Sequence, residues 1–161
     1  MAFETGDLAG LSGEDVMAAW TGSAYPEHEY GSEFWVRAFR HTREWFQFSQ
    51  GHGPLELFRG TTPQHERGMA WTTDRPKAHD FAWGRLHAHY APSGVEQPSV
   101  AYVYRTHVER DAILCEVDEN FNLSGRHHEK EVIVEPWRLG EIECVEMLLP
   151  GADRANPPPG G

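Results

Sequence analysis

The stretch His128-Glu129-Lys130-Glu131-Val132-Ile133-Val134-Glu135-Pro136 sets two carboxylates two residues apart at the head of a β-branched run. Side chains at i and i+2 of an extended chain share a face. The segment therefore predicts a strand over Glu131 to Val134, with Glu129 and Glu131 presented on one side and Val132 and Val134 held against the core on the other. Asp118 to His128, just before it, is polar and predicts an exposed loop that delivers the two acids.

Further strand signals lie on either side: Leu55 to Arg59, Met69 to Thr73, Val100 to Val108, Ile113 to Val117 and Ile142 to Leu149. Helices come earlier. Ser12 reads as a cap for a helix through Trp20 that Gly22 ends, with Glu14 and Asp15 in its first turn. Ser32 predicts the cap of a longer helix to about Gln50, because Trp35, Val36, Phe39 and Phe46 recur at helical spacing. Asp74 predicts a third start, with Pro76 in the first turn and Ala78, Phe81, Ala82 and Leu86 as the buried face. Ala91 to Pro98 reads as a loop. Helices first and strands afterwards, without βαβ alternation, indicate an α+β domain over residues 1–149, and the Pro- and Gly-rich residues 150–161 read as a disordered tail.

At 161 residues, 39% hydrophobic and with six Trp, the chain fits one folded domain with a sizeable core. A formal net charge of −11 opposes binding to phosphate backbones and favours a protein or small-molecule partner over nucleic acid. No run approaches the roughly 20 apolar residues that span a bilayer. The acidic start Met1-Ala-Phe-Glu lacks the basic and apolar regions of a signal peptide, and Cys115 and Cys144 form no metal or redox spacing, so the expected compartment is a reducing cytoplasm. Ten histidines invite a metal, but His87 and His89 would face apart on a helix and no Cys-x-x-Cys or His-Glu-x-x-His accompanies them. No metal is expected.

Three short motifs then stand in order: Leu57-Phe58-Arg59-Gly60-Thr61-Thr62, Gly68-Met69-Ala70-Trp71-Thr72-Thr73-Asp74, and Glu129-x-Glu131. Arg, then Thr, then Glu-x-Glu, across residues 55 to 136, resembles the Arg-Ser-Glu class of mono-ADP-ribosyltransferases of phage and bacterial type. The resemblance implies an ADP-ribosyltransferase-like α+β fold, with N-terminal helices packed on a split, mainly antiparallel β core. It implies NAD as substrate, bound without a Gly-x-Gly-x-x-Gly unit, which this chain lacks.

By the same resemblance Glu131 matches the catalytic Glu, whose carboxylate stabilises positive charge on the ribose as the bond to nicotinamide stretches. Glu129 matches the first Glu of the motif, which would hold a cationic guanidinium acceptor and ease its deprotonation. Arg59 would use its fork of donors on the NAD pyrophosphate, with Gly60 allowing close approach. Thr72 or Thr73 takes the place of the family's Ser. Trp71 and Phe81 are candidates for flanking the nicotinamide ring.

Each residue also has a plainer reading: Glu131 as a solvated start to an edge strand, Glu129 as charge balance for Lys130 and the histidines, Arg59 as half of a sheet-edge ion pair, Trp71 and Phe81 as core. The order of the three motifs tips the balance toward an intracellular transferase that moves ADP-ribose from NAD to a protein arginine and suits a phage or bacterial effector. For a phage protein the compartment is the host cytoplasm. The alternatives are an NAD glycohydrolase with the same Glu131 and Arg59, and a silent acidic module of the same fold that engages a basic protein.

Overall fold

Ser12 caps the first helix, α1 (Gly13–Gly22), through a reciprocal box in which its hydroxyl accepts from the Asp15 amide and the Asp15 carboxylate accepts from the Ser12 amide. The computed structural model describes residues 8–23, 25–87, 99–117 and 130–151. Glu129, the polar segment 118–128, the loop 91–98 and nearly all of the tail lie outside them. A short α2 (Pro26–Tyr30) and then α3 (Ser32–His41) follow α1, and a single 3-10 turn at Arg43–Trp45 completes the N-terminal helices.

Six strands, β1 (Leu55–Thr61), β2 (Ala70–Thr72), β3 (Ala101–Val108), β4 (Ile113–Glu116), β5 (Glu131–Val134) and β6 (Glu143–Leu148), form one sheet in the order β4-β5-β2-β1-β3-β6. All pairings are antiparallel. The architecture is α+β. The sheet is weakest at its middle, where β1 and β2 share one registered pair, Phe58 with Thr72, whereas β1 and β3 pair from Leu55 with Val108 to Thr61 with Tyr102.

Helix α4 (Arg75–Leu86) packs on β1, β3 and β6, burying Ala78, Ala82 and Leu86 against Phe58, Val103 and Leu148. On the same face, α1 and α3 cover β4 and β5, with Trp20, Trp35 and Phe39 against Leu114, Cys115 and Ile133. Trp20 meets Trp35 and Phe39 edge-on, with centroids 5.1 and 5.6 Å apart. The other face carries a second core of Leu57, Trp71, Tyr104, Val132 and Val134.

Two expectations need correction. The long helix stops at His41 instead of near Gln50: after Thr42, whose amide and hydroxyl both donate to the Ala38 carbonyl, the chain tightens into the 3-10 turn and then extends. Phe46 still reaches the core, from extended chain. On α4, Phe81 is 45% exposed and the buried position is His79, whose ring is held by Glu146 of β6.

Candidate active site

In an antiparallel ladder, residues directly opposite one another share a face. Phe58 of β1 is opposite Thr72 of β2, and Thr72 is opposite Glu131 of β5, so the three form one rung across the middle of the sheet. Its Phe58 end lies under α4, and its Glu131 end meets α1, where the Trp20 indole N–H donates to Glu131 Oε1 at 2.7 Å. Thr72 is between them, buried, its hydroxyl oxygen accepting from the Asp74 amide at the start of α4. Thr73 is exposed on the following bend. Of the two threonines, Thr72 is the one brought beside Glu131.

Arg59 occupies the weak join between β1 and β2. Its Nε donates to the His65 carbonyl at 3.0 Å and its Nη1 to the Ala70 carbonyl at 2.6 Å, so the connection 62–69 is wound around the guanidinium. A β-carbon on Gly68 would meet the Arg59 guanidinium and displace it from its present place. Burial lowers the Arg59 ionisation from its usual range; Glu27 and Glu131 favour the cation and Arg85 opposes it. His65, close by, is lowered by burial and then by Arg59 and Arg85. Arginine remains charged throughout.

Gly60 serves the fold directly. A β-carbon on it would strike the Ala78 carbonyl oxygen and the Ala82 amide nitrogen of α4, so the helix can lie on β1 only above a glycine. Trp71 is 2% exposed and on the opposite face, with Val132, its indole donating to the Gly68 carbonyl at 2.8 Å. It belongs to the second core and not to the Thr72–Glu131 rung. Phe81 shares a flank of α4 with Arg85, four residues on, and the Arg85 guanidinium lies 5.0 Å from the centre of the Tyr25 ring. That flank therefore looks toward α1 and α2. Lys130, in left-handed backbone at φ 48°, turns the chain into β5 and sets its ammonium 3.7 Å from Asp74.

Thr72 and Glu131 are thus brought together on one face, whereas Arg59, opposite Tyr104, issues from the other face and its guanidinium occupies the β1–β2 join; Phe81 is exposed on the overhanging helix. Several groups around them carried no sequence signal of their own. Trp20 read only as the end of the first helix, and Glu27, whose Oε1 accepts from the Met69 amide and the Ser32 hydroxyl, fell in a segment of no assigned structure. Arg85 was discoverable only through its one-turn spacing from Phe81. The Cys115 thiol is pushed up to about 12 by burial and by the charges of Glu131 and Glu116, so it is no nucleophile at neutral pH.

A separate concavity, lined by Arg43, Phe48, Ser49, Arg110 and Glu116 among others, includes none of the predicted residues. Among the described residues no three His, Cys, Asp or Glu side chains gather as a metal ligand set, and no helix is long and apolar enough to cross a membrane. No family model, curated protein or solved structure matches this chain.

Proposed function

We propose that the chain is a mono-ADP-ribosyltransferase with an ADP-ribosyltransferase-like fold, moving ADP-ribose from NAD to a protein side chain, arginine for preference. The observation that carries this reading is the rung itself, Glu131 and Thr72 side by side, with the Arg59 guanidinium at the adjoining β1–β2 join. In the proposed reaction the bond between ribose C1′ and the nicotinamide nitrogen breaks, and its electron pair leaves with nicotinamide. Glu131 lies against the ribose and offsets the positive charge left on the sugar. A guanidinium nitrogen of the acceptor then bonds to C1′ and loses a proton, which Glu129 accepts.

A carboxylate aimed at developing charge is worth on the order of 3 kcal/mol, about a hundredfold in rate. The test is incubation with NAD, following nicotinamide release, beside labelling of a cell lysate with biotinylated NAD and mapping of the modified residue. Release that depends on Glu131, with label on arginine, supports transfer. Release without protein label turns the reading to NAD glycohydrolysis. Glu129→Gln is expected to keep slow nicotinamide release while losing arginine modification, because only the attack by the guanidinium needs a second acid.

One observation favours a silent binding module instead. Two of the donors of Arg59 are committed to main-chain carbonyls, which leaves the fork less to offer a pyrophosphate. Absence of NAD binding by calorimetry to the folded protein would decide for that module.

A further inference from the structure

We propose that the concavity at the β4 edge of the sheet is a binding site for a small carboxylate, held between the guanidinium groups of Arg43 and Arg110. The chain carries 25 acidic residues against 14 lysines and arginines, so an arginine side chain is seldom far from a carboxylate. Arg40, Arg75, Arg105 and Arg138 each lie within ion-pair distance of one. Arg43 and Arg110 pair with none among the described residues, although Asp111 and Glu116 border the same space. Asp111 is turned to Arg138, 2.6 Å away, and Glu116 accepts from the Ser49 amide at 2.7 Å and the Ser49 hydroxyl at 2.5 Å. The acids are engaged by other groups, and two cations line one hollow.

Both guanidinium groups are fixed by the fold. Arg43 lies 4.4 Å from the centre of the Phe48 ring, and its Nη1 donates to the Ile113 carbonyl of β4 at 3.1 Å. Arg110 donates through Nε to the Gly53 carbonyl at 3.1 Å, and it lies so close to Gly51 that a β-carbon there would meet the guanidinium. Each commits part of its fork to a main-chain carbonyl and keeps the rest for an oxyanion, and donors already held in place lose little freedom on binding. Size and charge then choose the ligand. The hollow measures about 230 Å³, below the roughly 300–1,000 Å³ of sites for drug-sized molecules and above the ~150 Å³ of a cavity that takes benzene. A dinucleotide is too large, and a ring-sized acid fits between Phe48 and Ile113. Asp111 and Glu116 disfavour a dianion, so a singly charged, planar carboxylate suits the guanidinium fork better than a phosphate.

The experiment titrates the folded chain with sodium benzoate, with benzamide as its uncharged isostere, and with inorganic phosphate, by calorimetry and by nuclear magnetic resonance of the backbone amides. Benzoate is expected to saturate and to shift the Ser49 and Arg110 amides, with benzamide and phosphate each bound about tenfold more weakly or worse. Arg110→Gln should weaken benzoate about tenfold with melting temperature little changed, since its bond to Gly53 lies at the surface. Arg43→Gln should weaken it similarly; because Arg43 also ties down β4, Arg110→Gln decides the matter should Arg43→Gln fail to fold. Benzamide binding as tightly as benzoate would make the hollow merely apolar, and tighter binding of phosphate would remove the carboxylate; either overturns the proposal. Shifts that do not saturate, or a benzoate affinity unchanged in Arg110→Gln, would overturn it as well. No readout involves NAD, so failure here leaves the transferase reading intact, and failure of that reading leaves this site standing.

Discussion

Glu131 and Glu146 stand on the same face of the same sheet, on opposite sides of α4, and their surroundings treat them in opposite ways. Glu146 of β6 is enclosed: Arg75 holds Oε1 at 3.0 Å and His79 holds Oε2 at 2.9 Å, both from the α4 flank turned toward β6. The Glu146 side chain is 2% exposed. Glu131 is only partly buried and has an indole on one oxygen, in a neighbourhood that also contains Arg59 and Glu27. A carboxylate with both oxygens engaged by side chains of its own fold is a fastener. Under the proposed transferase reading Glu131, with an indole on one oxygen, a buried hydroxyl opposite and an arginine near, is the one that acts on substrate.

The largest expected effects fall on these two residues and should separate cleanly. Removing one partner of a buried ion cluster costs about 3–5 kcal/mol. Arg75 is 23% exposed, so it can recover water when Glu146 is lost, and Glu146→Ala should sit at the lower end, with a fall in Tm of about 10 °C. Its nicotinamide release, measured well below that Tm, should be unchanged. Glu131→Gln should do the reverse: about a hundredfold less release, with Tm little altered because the amide oxygen can still accept from Trp20. If Glu131→Gln melts early and stays active, the comparison is inverted and Glu131 is the fastener.

Arg59 lies between the two extremes. It is both near Glu131 and the pin of the β1–β2 join, so its loss should register in stability and in binding together. Arg59→Lys keeps a charge but not the fork, and cannot reach two carbonyls in one plane. The expected cost is about 1–2 kcal/mol, from two hydrogen bonds worth about 1 kcal/mol each, alongside weaker NAD binding by calorimetry. A melting curve identical to wild type would show that the carbonyl contacts add nothing and that Arg59 belongs wholly to the site.

How much of this was legible in sequence depended on whether the signal was local. The β-branched run at Val132 to Val134 and the Ser12–Asp15 cap are local, and β5 and α1 formed where those residues predict. Phe46 misled because it is buried, as its spacing suggests, yet from extended chain beyond the 3-10 turn that follows α3. Periodicity reads burial and infers helix from it. The five residues of α2 are too few to show a period at all. On α4, apolarity put Phe81 inside and passed over His79; the structure exposes the first and buries the second, because an imidazole paired to Glu146 is as buriable as a ring and nothing in the helix announces a partner on β6. The site follows the same rule. Arg59, Thr72 and Glu131 could be proposed because their order is written along the chain, whereas Trp20 and Glu27 join them only through folding.

The smallest expected effect concerns a polar group that neither fastens nor faces the rung. Thr61 of β1 is 2% exposed, and its hydroxyl has no hydrogen-bond partner among the described residues. It is two residues beyond Arg59 and so on the side of the sheet away from Glu131. A buried hydroxyl without a partner carries a desolvation cost of about 1–3 kcal/mol, whereas a methyl of the same shape carries none. Thr61→Val should therefore leave Tm unchanged or raise it, by up to about 1 kcal/mol of stability, with nicotinamide release untouched. A drop in Tm would reveal that the hydroxyl is satisfied in solution. A rise in Tm accompanied by weaker NAD binding would be more instructive, since it would place a ligand contact on the second-core face, from which Arg59 also issues, as well as on the face of the Thr72–Glu131 rung.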